Sequence, residues 1–176
     1  PCMIIAMCNC DWKCLKELGL DISKCQNSQL AQQNNIEVSI ESIIHRYLNN
    51  PIAQAVVIGG LEPMLQFEEI LEFIKQFRQH SNDDIVIYTG YYPEEIQDKI
   101  NLLKQFKNII IKFGRYIPNR EKRFDEILGV CLASDNQFAV KINWGGSVLK
   151  IRKNPDAETY NAITQAVINN DGYCPC

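Results

Sequence analysis

The stretch Ala55-Val56-Val57-Ile58-Gly59-Gly60-Leu61-Glu62-Pro63-Met64-Leu65-Gln66-Phe67-Glu68-Glu69-Ile70-Leu71-Glu72-Phe73-Ile74-Lys75-Gln76-Phe77 decides the fold class. A short apolar run at 55–58 reads as a buried strand, Gly59-Gly60 ends it, and Ile70, Leu71, Ile74 and Phe77 then recur at helical spacing. The same strand, turn and helix unit recurs on either side. Upstream, residues 2–7 form a short apolar run that reads as a buried strand. Residues 39–49 place Ile40, Ile43, Ile44, Tyr47 and Leu48 on one helical face, with Ser39 as N-cap and Pro51 at the exit. Downstream, 85–88 is a third strand, Thr89-Gly90 turns the chain, and Pro93-Glu94-Glu95 opens a helix that Leu102, Leu103 and Phe106 close. Residues 109–112 make a fourth strand followed by Gly114, and 138–142 a fifth. Strands alternating with helices predict an α/β fold with a mostly parallel sheet. Its right-handed crossovers leave the C-terminal strand ends on one edge, where loops share a site.

The 176 residues, 46% hydrophobic and 22% charged, describe a globular protein with a real core. Residues 1–146 are expected to form one catalytic domain. Gly145-Gly146-Ser147 reads as a linker, and residues 147–176 as a small appendage with a helix start at Asn154-Pro155-Asp156. A formal net charge of -3 with no basic stripe argues against a nucleic-acid partner. The longest apolar runs, at 55–58 and 109–111, are far shorter than a membrane span, and no signal-peptide pattern opens the sequence. The expectation is a cytoplasmic protein with no membrane partner and no internal repeat.

Eight cysteines need a reason. Cys2, Cys8, Cys10, Cys14 and Cys25 crowd the first 25 residues, and Cys174 and Cys176 follow much later. A chain with long amphipathic helices folds without disulfide staples, so metal or redox chemistry is the better reading. Cys10, Cys14 and Cys25 lie in one loop after the first strand. Full protein ligation of a [4Fe-4S] cluster takes four thiolates, so three from one loop would leave one iron open to an outside ligand. Cys8 shares the loop and is an alternative to Cys10, although Trp12 and the three-residue spacing to Cys14 favour Cys10. A structural zinc site that recruits Cys8 competes with the cluster, because soft thiolates also select zinc.

A cysteine loop placed directly after the first strand, with Cys10-Asp11-Trp12-Lys13-Cys14 and the ending Cys25-Gln26-Asn27, resembles the radical S-adenosylmethionine (radical SAM) signature. Here ten residues separate the last two cysteines, where the family has two. Gly59-Gly60-Leu61-Glu62-Pro63 resembles the family's Gly-Gly-Glu-Pro segment. Thr89-Gly90-Tyr91, Lys112-Phe113-Gly114-Arg115-Tyr116 and Ser134-Asp135-Asn136-Gln137 resemble, in order, segments of the activating proteins of anaerobic ribonucleotide reductase. The resemblance covers roughly residues 2–142. It implies a partial (βα)6 barrel in which Cys10, Cys14 and Cys25 hold a [4Fe-4S] cluster, and Gly59, Gly60, Glu62 and Pro63 surround the amino group of S-adenosylmethionine. Arg115 is placed to meet the cosubstrate's carboxylate. The implied reaction is reductive cleavage of S-adenosylmethionine to a 5'-deoxyadenosyl radical, which takes hydrogen from a glycine of the partner. That partner is a glycyl-radical enzyme such as the large subunit of anaerobic ribonucleotide reductase, and the electron comes from a donor such as flavodoxin or ferredoxin. Tyr173-Cys174-Pro175-Cys176 resembles a fragment of the ferredoxin-thioredoxin reductase catalytic subunit, which leaves a redox dithiol, shared ligands or a remnant as its readings.

Two other readings stand beside the activase. One is a non-catalytic zinc or iron-sulfur adaptor; the other is a radical SAM enzyme acting on a small molecule or peptide. His45 and His80 are expected at the surface, and Cys2 and Cys131 as small buried apolar side chains. Glu68-Glu69 and Glu94-Glu95 suit the positive ends of helix dipoles and are read as structural.

Overall fold

The computed structural model describes residues 1–142. The expected linker at 145–147 and the appendage bearing Cys174 and Cys176 lie outside the described residues. The chain divides into two compact units, Pro1–Tyr88 and a second beginning at Thr89.

The first unit runs β1 (Met3–Met7), α1 (Lys13–Leu18), a 3-10 turn (Ile22–Lys24), α2 (Ser28–Ala31), α3 (Ile40–Leu48), β2 (Ala55–Gly60), a 3-10 turn (Pro63–Gln66), α4 (Phe67–Phe77) and β3 (Asp84–Tyr88). β2 pairs in parallel with β1, from Met3↔Val56 to Met7↔Gly60, and with β3, from Ala55↔Asp84 to Ile58↔Ile87. The expected α/β class with parallel strands is therefore present, and the C-terminal ends of β1 and β2 lie side by side. Phe67, Ile70, Phe73, Ile74 and Phe77 of α4 are buried, as are Val56 and Ile58 of β2 and Ile85, Val86 and Ile87 of β3. Each such side chain contributes ~1.5–3 kcal/mol through burial. Tyr47 of α3 meets Phe77 edge-on, with ring centroids 4.9 Å apart. Ser39 caps α3 by accepting the Ser42 N–H at 3.2 Å, as its position predicts.

Three expectations in this unit need correction. β1 is not a buried strand: its exposure alternates, and Ile4 is 68% exposed. Within the unit β1 pairs with β2 alone, so it is an edge, and an edge strand with one covered face keeps every second side chain in contact with water. Cys2, expected to be buried, precedes the strand and is exposed. The third correction is that Gly59 and Gly60 do not terminate β2 but complete it. Gly60 has φ +88°, and a Cβ there would stand 2.9 Å from the Met7 nitrogen and oxygen. Close approach of β1 is what requires glycine.

The second unit contains a 3-10 turn (Pro93–Glu95), α5 (Gln97–Leu103), β4 (Ile109–Phe113), β5 (Arg123–Asp125), β6 (Val130–Leu132) and β7 (Phe138–Ile142). The single helix expected from Pro93 is interrupted at Ile96, which is buried at φ −133°. β7 occupies the expected residues but runs antiparallel to β4, from Ile109↔Ile142 to Phe113↔Phe138. No helix is present between them: residues 114–137 carry the β5–β6 hairpin, so the chain enters β7 without the crossover that a parallel strand would need. Buried Asp125 fastens this hairpin by accepting the Leu128 N–H at 3.0 Å and the Ala139 N–H at 2.9 Å. Cys131 sits on the outer side of β6 and is exposed rather than buried, because a two-stranded hairpin covers only one of its faces. Among the described residues no helix is long and apolar enough to cross a membrane.

Candidate metal centre

The cysteine loop begins where β1 leaves its ladder. Residues 8–14 must turn sharply there, and Trp12 adopts a left-handed backbone (φ 59°), unusual for a bulky residue. That conformation lets the Trp12 carbonyl accept the N–H groups of Leu15 (3.0 Å) and Lys16 (2.9 Å), which starts α1. Leu15, 1% exposed, pins the short helix to the core. Gly19, left-handed at φ 62°, ends it, and Asp21 caps the following 3-10 turn through the Ser23 N–H.

Three hydrogen bonds tie this loop to the end of β2. The Leu61 N–H donates to the Met7 carbonyl at 3.0 Å, the Glu62 N–H donates to the Asn9 carbonyl at 2.7 Å, and the Asn27 side-chain amide donates to the Gly60 carbonyl. The structure thereby joins the ends of the cysteine segment to the Gly59-Gly60-Leu61-Glu62 segment. Glu62 is buried, and its carboxylate accepts the Met64 N–H at 3.0 Å. Pro63, also buried, begins the 3-10 turn.

Cys10, Cys14 and Cys25 are half-buried, and all six described cysteines are free thiols. The Cys10 sulfur accepts the Trp12 N–H and the Cys25 sulfur the Asn27 N–H, both at 3.3 Å. Burial pushes the Cys10 thiol up to about 11; the Trp12 N–H pulls it back, while Cys14, Asp11 and Glu62 push it further. Cys14 is raised by burial and then by the charge of Cys25. The sulfurs thus feel one another in sequence. Even so, among the described residues no three His, Cys, Asp or Glu side chains are gathered into a cage for a metal ion. In donor chemistry the set fits an iron-sulfur cluster: thiolates are its usual ligands, and N–H bonds to sulfur are a recognised means of tuning it. Binding would displace the thiol protons and draw the sulfurs together.

Cys8 is exposed, with its sulfur 3.5 Å from the Gln66 side-chain oxygen. His45 and His80 are at the surface, as expected. Arg115 belongs to the second unit. Its guanidinium is 5% exposed and forms a bidentate pair with Glu95 at 2.9 and 2.6 Å, lying 5.0 Å over the Tyr92 ring. Asn136 reinforces this group by donating to the Tyr92 hydroxyl and the Arg115 carbonyl.

Sequence reasoning missed Glu95 and Gln66. The sequence pattern makes Glu95 a helix-opening carboxylate, and its N-terminal position does serve the Tyr92 N–H (2.8 Å), but its ion-pair partner lies twenty residues on. Gln66 carries no motif, and a polar amide in the first turn after Glu62-Pro63 was its only signal.

A family model described as a 4Fe-4S single cluster domain matches residues 3–137. No curated protein and no solved structure gives a significant match.

Proposed function

Because this chain belongs to the 4Fe-4S single cluster domain family, we propose that it is a radical SAM activating enzyme. In this reading Cys10, Cys14 and Cys25 hold the cluster, and a glycyl-radical enzyme resembling anaerobic ribonucleotide reductase supplies the glycine that loses hydrogen. The observation that carries the reading is the hydrogen-bonded union of the cysteine loop with the Gly60–Glu62 segment at adjacent parallel strand ends. A loop of thiols and a carboxylate turn held together in this way suit a cosubstrate that bridges metal and protein.

A cluster held by Cys10, Cys14 and Cys25 would supply one-electron reducing chemistry for S-adenosylmethionine, and the chain's own residues would hold and orient both groups. The Trp12 and Asn27 N–H groups stabilise anionic sulfur. Gly59 and Gly60 offer backbone carbonyls, Glu62 complements an ammonium group, and Pro63 fixes the turn that presents it. Within the second unit the Arg115 guanidinium is already paired with Glu95, so Glu95→Gln is the variant that examines whether it can take another carboxylate. A partial (βα)6 barrel, a flavodoxin or ferredoxin electron donor and a cytoplasmic setting accompany this reading.

The test is electron paramagnetic resonance of anaerobically reconstituted, dithionite-reduced protein with and without S-adenosylmethionine, together with chromatographic assay of 5'-deoxyadenosine. A [4Fe-4S] signal that changes with the cosubstrate, product formation, and loss of both in Cys14→Ala are expected. The adaptor reading draws on the ungathered sulfurs and on the Met64 N–H already held by Glu62. A cluster indifferent to S-adenosylmethionine, or stoichiometric zinc, would establish it instead.

A further inference from the structure

The residue just before the first proposed ligand is held from both sides. Its carbonyl is fixed by Glu62, as described, and its N–H is fixed by Gln66. The Gln66 side-chain oxygen lies 3.0 Å from the Cys8 nitrogen, 3.3 Å from the Asn9 nitrogen and 3.5 Å from the Cys8 sulfur. These two N–H groups belong to the residues at which β1 leaves its ladder, whose last paired residue is Met7. Without Gln66 both N–H groups would lose this acceptor, and the two peptides from Met7 to Asn9 would keep only the Glu62 bond at the Asn9 carbonyl to hold them in register. Two backbone donors converging on one atom also settle the orientation of the amide, since only its oxygen can accept.

We infer that Gln66 is a positioning residue for the metal centre. Its side-chain oxygen clamps the Cys8–Asn9 backbone so that Cys10 presents its sulfur in a fixed direction. The clamp is rigidly mounted. Gln66 closes the 3-10 turn Pro63–Gln66, which Glu62 caps through Met64 and which leads directly into α4, anchored by buried Phe67 and Ile70. Glu62 and Gln66 therefore grip Asn9 from the two ends of one turn. Any displacement of that turn by a bound cosubstrate is transmitted to Cys10. This inference rests on the cluster site proposed above.

The experiment compares wild type, Gln66→Leu and Gln66→Glu after anaerobic reconstitution. Iron and sulfide content, the half-life of the cluster against a ferrous chelator, the reduced-state resonance spectrum and the thermal midpoint are measured for each. Leucine fills the same space but accepts nothing, whereas glutamate keeps an acceptor oxygen. The expected result is a roughly tenfold shorter cluster lifetime and altered g-values in Gln66→Leu, the scale of one lost pair of backbone hydrogen bonds. The thermal midpoint of the apo protein should fall by only about 2–4 °C, since the two hydrogen bonds lie at the exposed end of β1, and Gln66→Glu should recover most of the lifetime. A Gln66→Leu protein with wild-type lifetime and spectrum overturns the inference, as does a glutamate variant no better than leucine. A wild-type chain that takes up no cluster overturns the site itself, and the two failures are separated by the wild-type sample alone.

Discussion

Replacing Gly60 by alanine would drive a methyl group into the backbone of β1. The new Cβ would lie 2.9 Å from both the nitrogen and the oxygen of Met7 and 3.0 Å from the Ala6 Cα, at φ +88°. A left-handed backbone costs an L-residue ~1–2 kcal/mol, and forcing a methyl into packed backbone adds ~1–3 kcal/mol. The β1–β2 ladder cannot yield cheaply, because Met7↔Gly60 is its last rung and the cysteine loop hangs from it. The sum, ~2–5 kcal/mol, corresponds to a fall of roughly 4–20 °C in thermal midpoint for a chain of this size. Two controls separate the contributions. Gly59→Ala places its Cβ 3.7 Å from the Tyr88 Cβ, an ordinary contact, and should change stability by less than ~1 kcal/mol. Gly19→Ala, at φ +62° with nothing within 4 Å, carries strain alone and should lose ~1–2 kcal/mol. The assay is thermal and urea denaturation of the metal-free protein followed by circular dichroism, so no cofactor enters the comparison. A Gly60→Ala protein as stable as Gly59→Ala would refute the steric argument and return the glycine pair to a purely ligand-facing role.

Removing Arg115 as Arg115→Ala should cost ~3–5 kcal/mol, because it leaves the carboxylate of Glu95 without its bidentate partner in a mostly buried site; a urea-derived loss under ~1 kcal/mol would mean that the pair is effectively solvated. Tyr47→Phe deletes the hydroxyl that donates to Asp83 at 2.7 Å and should cost ~0.5–1.5 kcal/mol at neutral pH. That bond holds the Asp83 carboxyl below its ordinary range, so its contribution is present above about pH 4 and fades as pH falls through the folded value. Tyr47 itself is raised, first by burial and then by Asp83, so its contribution is present below about pH 10 and is lost in stronger alkali. The gap between the wild-type and Phe curves should narrow as pH falls below about 4, and a constant gap would contradict the linkage. Cluster uptake should slow amide exchange across residues 10–33, where the thiols are ungathered in the metal-free fold; unchanged exchange on a fully loaded sample would mean that the loop is already preformed.

Element placement was legible where periodicity and punctuation agreed. Ile70, Ile74 and Phe77 mark α4 without ambiguity, and Ser39 marks the start of α3, because local patterns and tertiary burial demand the same thing there. Burial was less legible. An apolar run such as Met3-Ile4-Ile5-Ala6-Met7 is the same string whether the strand is central or at an edge, and only pairing decides it. Direction was not legible for β7. A strand of Phe, Ala, Val and Ile does not state its polarity, which follows instead from a connection that carries the β5–β6 hairpin and no crossover helix. In the candidate site, the cysteines and the glycine pair announced themselves by chemistry and spacing. Glu95 and Gln66 did not, since a carboxylate or amide at a helix start looks the same whether it caps a backbone, grips an arginine or clamps a loop.

The ten residues between Cys14 and Cys25 illustrate why spacing along the chain is a poor measure of distance at such a site. They are not slack. α1 continues four residues past Cys14 and is pinned by Leu15, Gly19 then reverses the chain, and Asp21 starts the turn that ends at Cys25. From there Asn27 reaches back to the Gly60 carbonyl, at the same strand end from which Cys10 departs. The interval is therefore a folded excursion whose two ends return to one place, and the charge of Cys25 is felt at Cys14. A departure of eight residues from a compact cysteine motif would weaken the third ligand by about 1–2 kcal/mol if the insert were unstructured, because closing a longer flexible loop costs more entropy on every binding event. Here part of that entropy has already been spent in folding the excursion, and what remains for cluster assembly is to gather the three sulfurs, which the metal-free fold leaves apart.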